Sequence, residues 1–181
     1  MARSDRSPRN FNAYWKMEAA NVVFVPGFAL VLGFPRDGVE AIALGLAIAA
    51  TAGFLVVGTL FWRGVDRRLR FGDPISARRA LDFADRVERP LLIICAAAIA
   101  TTIVALILNG WTPAAIAATA LSALAALEYV NYYHWQLQHF DNRADLKRLL
   151  SGRGARPSHM ARDLAARRRA GSAHGAARFR S

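Results

Sequence analysis

The residues best suited to chemistry lie together near the end of an apolar run. Glu128, Asn131, Tyr132, Trp135 and His139 follow sixteen residues, Thr112 to Leu127, that carry no charge. At about 100° per helical residue, and with Glu128 set at zero, Asn131 falls near −60°, Tyr132 near 40°, Trp135 near −20° and His139 near 20°. The five therefore form one polar and aromatic stripe on a helix. Glu18 and Asn21, three residues apart, form a similar pair at the start of the first apolar run. A carboxylate inside hydrocarbon costs about 2–3 kcal/mol or more unless it is paired, protonated or wet. Glu18, Asn21, Glu128, Asn131 and Tyr132 thus define a candidate polar cluster shared by two spans, with Trp135 and His139 as its continuation. Its chemical readings are a proton or cation site, a headgroup pocket, or an interhelical hydrogen-bond cluster.

The elements that must position this cluster are apolar helices. The 181 residues are 54% hydrophobic, yet 24 Lys and Arg against 13 Asp and Glu leave a net charge of +11. Mean hydropathy is +0.19. High apolar content and high charge coexist when the apolar residues form membrane spans and the charges occupy the connections. This excludes a soluble globular enzyme and a disordered chain. The single cysteine, Cys95, excludes an internal disulfide and a cysteine metal cluster, and its apolar surroundings make it a packing residue.

Four runs read as spans: 19–34, 41–62, 90–108 and 112–134. The fold class is all-α, a polytopic membrane protein with four transmembrane helices. The organisation is an N-terminal segment 1–18, a transmembrane domain 19–139 with a basic connection 63–89, and a basic tail 140–181, disordered after about residue 170. Four Lys and Arg precede the first span, eight lie in 63–89 and eleven follow Tyr133. The remaining one is Arg36, and the 109–113 link has no charge. Basic segments stay in the cytoplasm, so both termini are expected inside a bacterial inner (plasma) membrane. Trp15, Trp62 and Trp135 at inner ends, and Trp111 at an outer link, fit an interfacial aromatic belt. A cleaved secretory signal is the rival reading of the N-terminus, but no small-x-small cleavage site follows Phe34.

Asp73-Pro74 reads as an N-cap and first helical residue. Residues 75–87 place Ala77, Ala80, Leu81, Ala84 and Val87 on one face, which predicts an amphipathic helix on the membrane surface that bends at Pro90. Arg67, Arg68, Arg70, Arg78, Arg79 and Arg86 would there meet anionic phospholipid headgroups. Asp141-Asn142 could cap a helix through Leu150, and Ser158 another through Arg169. Small residues at four-residue spacing predict close helix packing: Gly45, Ala49 and Gly53; Ala97, Thr101 and Ala105; Ala114, Ala118, Ser122 and Ala126. Spacing does not decide whether these ridges meet within one chain, in a homo-oligomer or in a larger membrane complex. Pro26 should kink the first span.

No HExxH, phosphate-binding loop, GxSxG or dinucleotide fingerprint occurs. The first three spans contain no histidine, and His134 and His139 sit about 140° apart, so neither haem nor zinc ligation is expected and no cofactor or metal is implied. Without aromatic interleaving in the basic tail, nucleic acid is not an expected partner. The function expected is therefore a non-enzymatic scaffold or accessory subunit, contacting anionic lipid or a partner complex through basic cytoplasmic segments. The alternatives are a small oligomeric transporter or channel using the Glu128 carboxylate, and a membrane enzyme acting at the headgroup interface with Glu128 and His139 as acid and base.

Overall fold

The computed structural model describes residues 11–137 and 156–178, with side chains to Arg169. The described chain is all-helical: α1 (Phe11–Leu32), α2 (Gly38–Phe71), α3 (Pro74–Asn109), α4 (Pro113–Tyr133) and α5 (His159–Arg178). The first four are long and apolar enough to cross a membrane. In hydrocarbon a backbone must satisfy its own hydrogen bonds, and uninterrupted helices do so.

Two of these helices are longer than a bilayer needs. α2 has 34 residues and α3 has 36. At about 1.5 Å per residue they run roughly 50 Å, against a hydrocarbon core of about 30 Å. They form an antiparallel hairpin whose tip stands clear of the apolar region. Gly72 takes the left-handed conformation (φ 64°) that ends α2, and its amide returns to the Arg67 carbonyl. Asp73 then starts α3 by accepting from the Ile75 and Ser76 amides, as its Asp-Pro pair predicts. The Ser76 hydroxyl at 2.6 Å, the two amides and the Arg67 guanidinium hold the Asp73 carboxyl down at about 2.

The expected surface helix over 75–87 and its bend at Pro90 are corrected here. The stretch is the first part of α3, which continues through Pro90 without a break. The physical reason is the partner of its apolar face. Ala80 and Ala84 are buried, and Gly64 of α2 lies against Ala77, where a side chain would come within 3.0 Å of backbone. The face is already covered by α2, so it has no apolar surface left to lay on lipid. Pro90 is at an exposed position, where the carbonyl it displaces faces away from the core.

Every other span packs on α2. The small-residue ridge of α4 is buried as expected at Ala114, Ala118 and Ser122. That of α2 is not: Gly45 and Ala49 are exposed, and only Gly53 is in contact, under Leu91. The buried small residues of α2 are Ala43, Ala47 and Ala50. The helix is gripped from several sides, so its contact face is wider than one four-residue ridge. On α3 the enclosed positions are Ala98, Thr102 and Ala105, with Ala97 and Thr101 at the margin. Thr51 donates to the Leu121 carbonyl at 2.9 Å, and Thr102 meets Ser122 at 3.3 Å, tying α2 and α3 to α4.

α5 begins at a Ser158 cap, as expected, but runs to Arg178, past the boundary expected near residue 170. Its Met160 and Leu164 are buried in the same cluster as Phe61 and Tyr133. Arg167 pairs with Asp82, and Arg168 with Asp85 and Glu88 at 2.5 Å. The expected helix over 141–150 lies outside the described residues.

Two outcomes test this packing. Gly33 sits where an added Cβ would lie 2.7 Å from the Ala117 Cβ and 2.9 Å from the Pro113 carbonyl. Gly33→Ala should therefore destabilise the bundle by about 1–3 kcal/mol, read from unfolding in detergent; Gly45→Ala, in open space, should not. Asp73 has a depressed folded pKa, so its contribution to stability is complete above the ordinary value of 3.8 and is lost as pH falls through about 2. Asp73→Ala should flatten the acid dependence of the thermal midpoint in that window; an unchanged acid slope would show that the tip contributes nothing.

Candidate functional site

The candidate site stands where α1, α2 and α4 meet near the basic end of the bundle. α1 brings Tyr14 and Glu18, α2 brings Gly58, Thr59 and Trp62, and α4 brings Glu128, Asn131 and Tyr132. Glu18 is 3% exposed and Tyr132 also 3%. Glu18 and Glu128 are close enough for each charge to act on the other, and the Tyr132 hydroxyl faces both. The Tyr132 ring reaches this position by lying against Gly58, where a Cβ would overlap the phenol oxygen.

Polar atoms here lack partners. Glu128 Oε2, the Tyr132 hydroxyl, Thr59 Oγ1 and the indole nitrogens of Trp15 and Trp62 are enclosed and make no hydrogen bond among the described residues. Buried polar groups are nearly always bonded, and five orphans around one corner of a small bundle mark a place built for something beyond packing. No lysine or arginine pairs with Glu18 or Glu128 among the described residues. The nearby cations turn to an aromatic ring instead: Lys16 Nζ lies 5.7 Å and the Arg63 guanidinium 5.8 Å from the centre of Trp15.

An aromatic collar closes the site toward the basic end. Phe11 stacks on Trp62 at 5.7 Å, while Tyr14 and Phe61 meet it edge-on at 5.1 and 5.2 Å. Beyond the collar is a cavity of about 30 Å³ lined by Asn131, Tyr132, Gln136, Ser158 and His159, among others. A second, of about 340 Å³, shares Phe61, Trp62 and His159 with it and adds Arg68 and Asp163.

The sequence-predicted stripe is brought together only in part. Glu128, Asn131 and Tyr132 join Glu18, whereas Asn21 is half-buried one turn further along α1. Trp135 does not continue the stripe. α4 ends at Tyr133, and the Trp135 amide turns back to the Val130 carbonyl at 2.8 Å while Asn131 Oδ1 accepts from the Leu137 amide. Trp135 is exposed and bridges to Pro157. The Asn131 side chain helps to stop the helix that the stripe assumed would go on. His139 lies outside the described residues.

The predicted arginines divide between two surfaces. Arg67 and Arg79 join Arg63 and Ser76 around a cavity of about 210 Å³ whose apolar walls are Leu60, Gly64, Ala80 and Phe83. Arg67 also bonds Asp73 at 3.0 Å. Arg68 borders the 340 Å³ cavity, Arg70 pairs with Asp66 at 2.7 Å, and Arg78 and Arg86 are exposed on α3.

Several residues escaped the sequence reading. Glu40, 1% exposed at the far end, accepts from Thr112 Oγ1 at 2.6 Å and from the Arg36 amide at 2.7 Å. Asn109 bridges it to Asp37. Two acids beside a chain turn were a visible signal, but their partners lie about seventy residues away. Gly58, Thr59 and His159 carried no local signal at all. Among the described residues no group of three His, Cys, Asp or Glu is arranged to hold a metal. Compared with known proteins, the chain matches no family model, no curated protein and no solved structure.

The orphaned hydroxyl predicts an asymmetry. Tyr132→Phe removes a buried polar atom that has no partner, so it should leave stability within about 1 kcal/mol or raise it. Gly58→Ala, which drives a methyl into the phenol, should cost about 1–3 kcal/mol. Thermal unfolding of both variants in detergent checks the pair; a large loss in Tyr132→Phe would mean that the hydroxyl holds the fold.

Proposed function

We propose that the chain is a multi-pass protein of a bacterial inner membrane, with both termini cytoplasmic, that works without catalysis as a scaffold or accessory subunit. Its basic end holds anionic phospholipid and offers the projecting α2–α3 hairpin, with α5 docked on it, to a larger membrane complex. The placement of 23 of the 24 Lys and Arg in three segments supports the orientation.

The observation that carries the lipid reading is the cavity between Arg63, Arg67 and Arg79. From Glu40, near one boundary, to Leu60, α2 rises about 30 Å, the thickness of a hydrocarbon core. Leu60 and Phe83 therefore stand at the level where acyl chains give way to headgroups. Arg63, Arg67 and Arg79 line the cavity with Ser76; Arg67 and the Ser76 hydroxyl also donate to Asp73, and Arg63 lies over Trp15. Arginine suits phosphate because its planar fork donates two parallel hydrogen bonds, and its weak hydration lowers the cost of leaving water. Apolar walls below and charged donors above match an anionic phospholipid end to end.

The test is native mass spectrometry of the full chain from bilayers of mixed phosphatidylglycerol and phosphatidylcholine. The wild type should retain phosphatidylglycerol preferentially. Each basic residue near an anionic headgroup is worth about 1 kcal/mol, so Arg63→Gln/Arg79→Gln should lower that preference by about tenfold or more. Equal retention of the two lipids by the wild type, or an unchanged preference in the double variant, would remove the lipid reading.

A further inference from the structure

The paired carboxyls between α1 and α4 are independent of the lipid reading and point to a different activity. Glu18 from α1 and Glu128 from α4 both approach the Tyr132 hydroxyl in the apolar part of the bundle, and no cationic side chain pairs with either among the described residues. Two like charges in a low dielectric repel strongly, and each is costly to bury alone. A proton on one of them removes the repulsion. Among the described residues no group of three His, Cys, Asp or Glu is arranged to hold a metal, whereas a proton needs only an oxygen and a route.

A route is present. The enclosed Tyr132 hydroxyl faces both carboxyls. A cavity of about 30 Å³, with room for a water molecule, is lined by Tyr132 together with Asn131, Gln136, Ser158 and His159. His159 also borders the 340 Å³ cavity beside Arg68 and Asp163, and its Nδ1 lies 3.0 Å from an Arg162 nitrogen at an exposed position. Imidazole is the side chain best suited to exchange a proton with water near neutrality. The groups that face this line are Tyr14 and Glu18 from α1, Thr59 and Trp62 from α2, Glu128, Asn131 and Tyr132 from α4, and His159 from α5. Lys16 and Arg63 are held over Trp15.

We infer that Glu18 and Glu128 share one exchangeable proton, which reaches them from the basic end through His159, a water in the small cavity and the Tyr132 hydroxyl. The transfer balances. His159 gives a proton to the water, the water gives one to the tyrosine oxygen, and the tyrosine passes its own to a carboxylate oxygen. One proton is taken from solvent at His159, and no other bond changes. The orphaned donors and acceptors are the resting state of this relay, bonded only when the water and the proton are in place.

The test is infrared spectroscopy of the full chain in lipid vesicles at neutral pH. The expected spectrum contains the carbonyl stretch of a protonated carboxyl, which shifts in D2O. The band should move or vanish in Glu18→Gln and in Glu128→Gln, vanish in the double variant and persist in Glu40→Gln. His159→Gln should keep the band and slow its response to D2O several-fold. A wild-type spectrum without the band, a band untouched in both single variants, or a band that survives in the double variant overturns the shared proton. An exchange rate in His159→Gln equal to wild type overturns the route. Should one glutamine variant fail to fold, the other single variant, on a different helix, decides.

Discussion

Close approach to α2 is the constraint on which the structure depends. Lipid offers helices no hydrophobic reason to associate, so association rests on dispersion contacts and a few interhelical hydrogen bonds, both steep in distance. Each neighbour reaches α2 at a point where a side chain is missing or small. Gly64 admits the start of α3, Gly53 admits Leu91, Gly58 admits the Tyr132 phenol, and Ala43, Ala47 and Ala50 are wholly enclosed. Hydroxyls then fix register, with Thr51 bonded to a carbonyl of α4 and Thr102 to Ser122. A larger residue at Gly64 would press on the backbone of α3, whereas at Gly53 and Gly58 it would first displace the Leu91 and Tyr132 side chains.

The two ends of the bundle treat buried carboxylates in opposite ways. At the far end Glu40 is almost completely enclosed, yet it accepts from a hydroxyl and a backbone amide, with Asn109 close by. Such bonds to a charged acceptor are each worth about 1.5–3 kcal/mol, enough to offset desolvation and to join the start of α2 to the α3–α4 turn. At the basic end Glu18 and Glu128 face each other, and the tyrosine, threonine and tryptophan groups around them stay unbonded. The same chain satisfies one buried acid fully and leaves an oxygen of another, Glu128 Oε2, without a partner among the described residues. A purely structural polar cluster would resemble the first, which is why the second is the place to look for function.

The spans were legible because composition and length are local properties. Uncharged runs bounded by arginines can be read without knowing what touches what, and so can caps such as Asp73 and Ser158. The grouping of Glu128 with Tyr132 was legible from helical phase, and that of Glu18 with Glu128 from their similar depth on two spans. Legibility ended wherever a partner decided the outcome. The apolar face of 75–87 looks the same whether it meets lipid or α2, and Gly64 of the partner helix settles it. Gly45 and Gly53 have the same spacing from Ala49, but only Gly53 has a neighbour. The stripe assumed a helix as far as His139, but α4 ends at Tyr133, where Asn131 bonds the Leu137 amide as the chain leaves the helix.

The placement of α5 joins the two halves of the molecule. Its N-terminal cap, Ser158, donates to the Tyr132 carbonyl at 2.5 Å, and Met160 and Leu164 pack with Tyr133, whose hydroxyl donates to the Ala84 carbonyl of α3. Its arginines then engage Asp82, Asp85 and Glu88 on the face of α3 that projects past the bilayer. The apolar and backbone contacts are buried, whereas the ion pairs are exposed, where each is worth at most about 1 kcal/mol and is weakened by salt. α5 is therefore held firmly at its start and loosely along its length. The firm end lines the small cavity under Tyr132, and the loose end lies among the arginines of the hairpin.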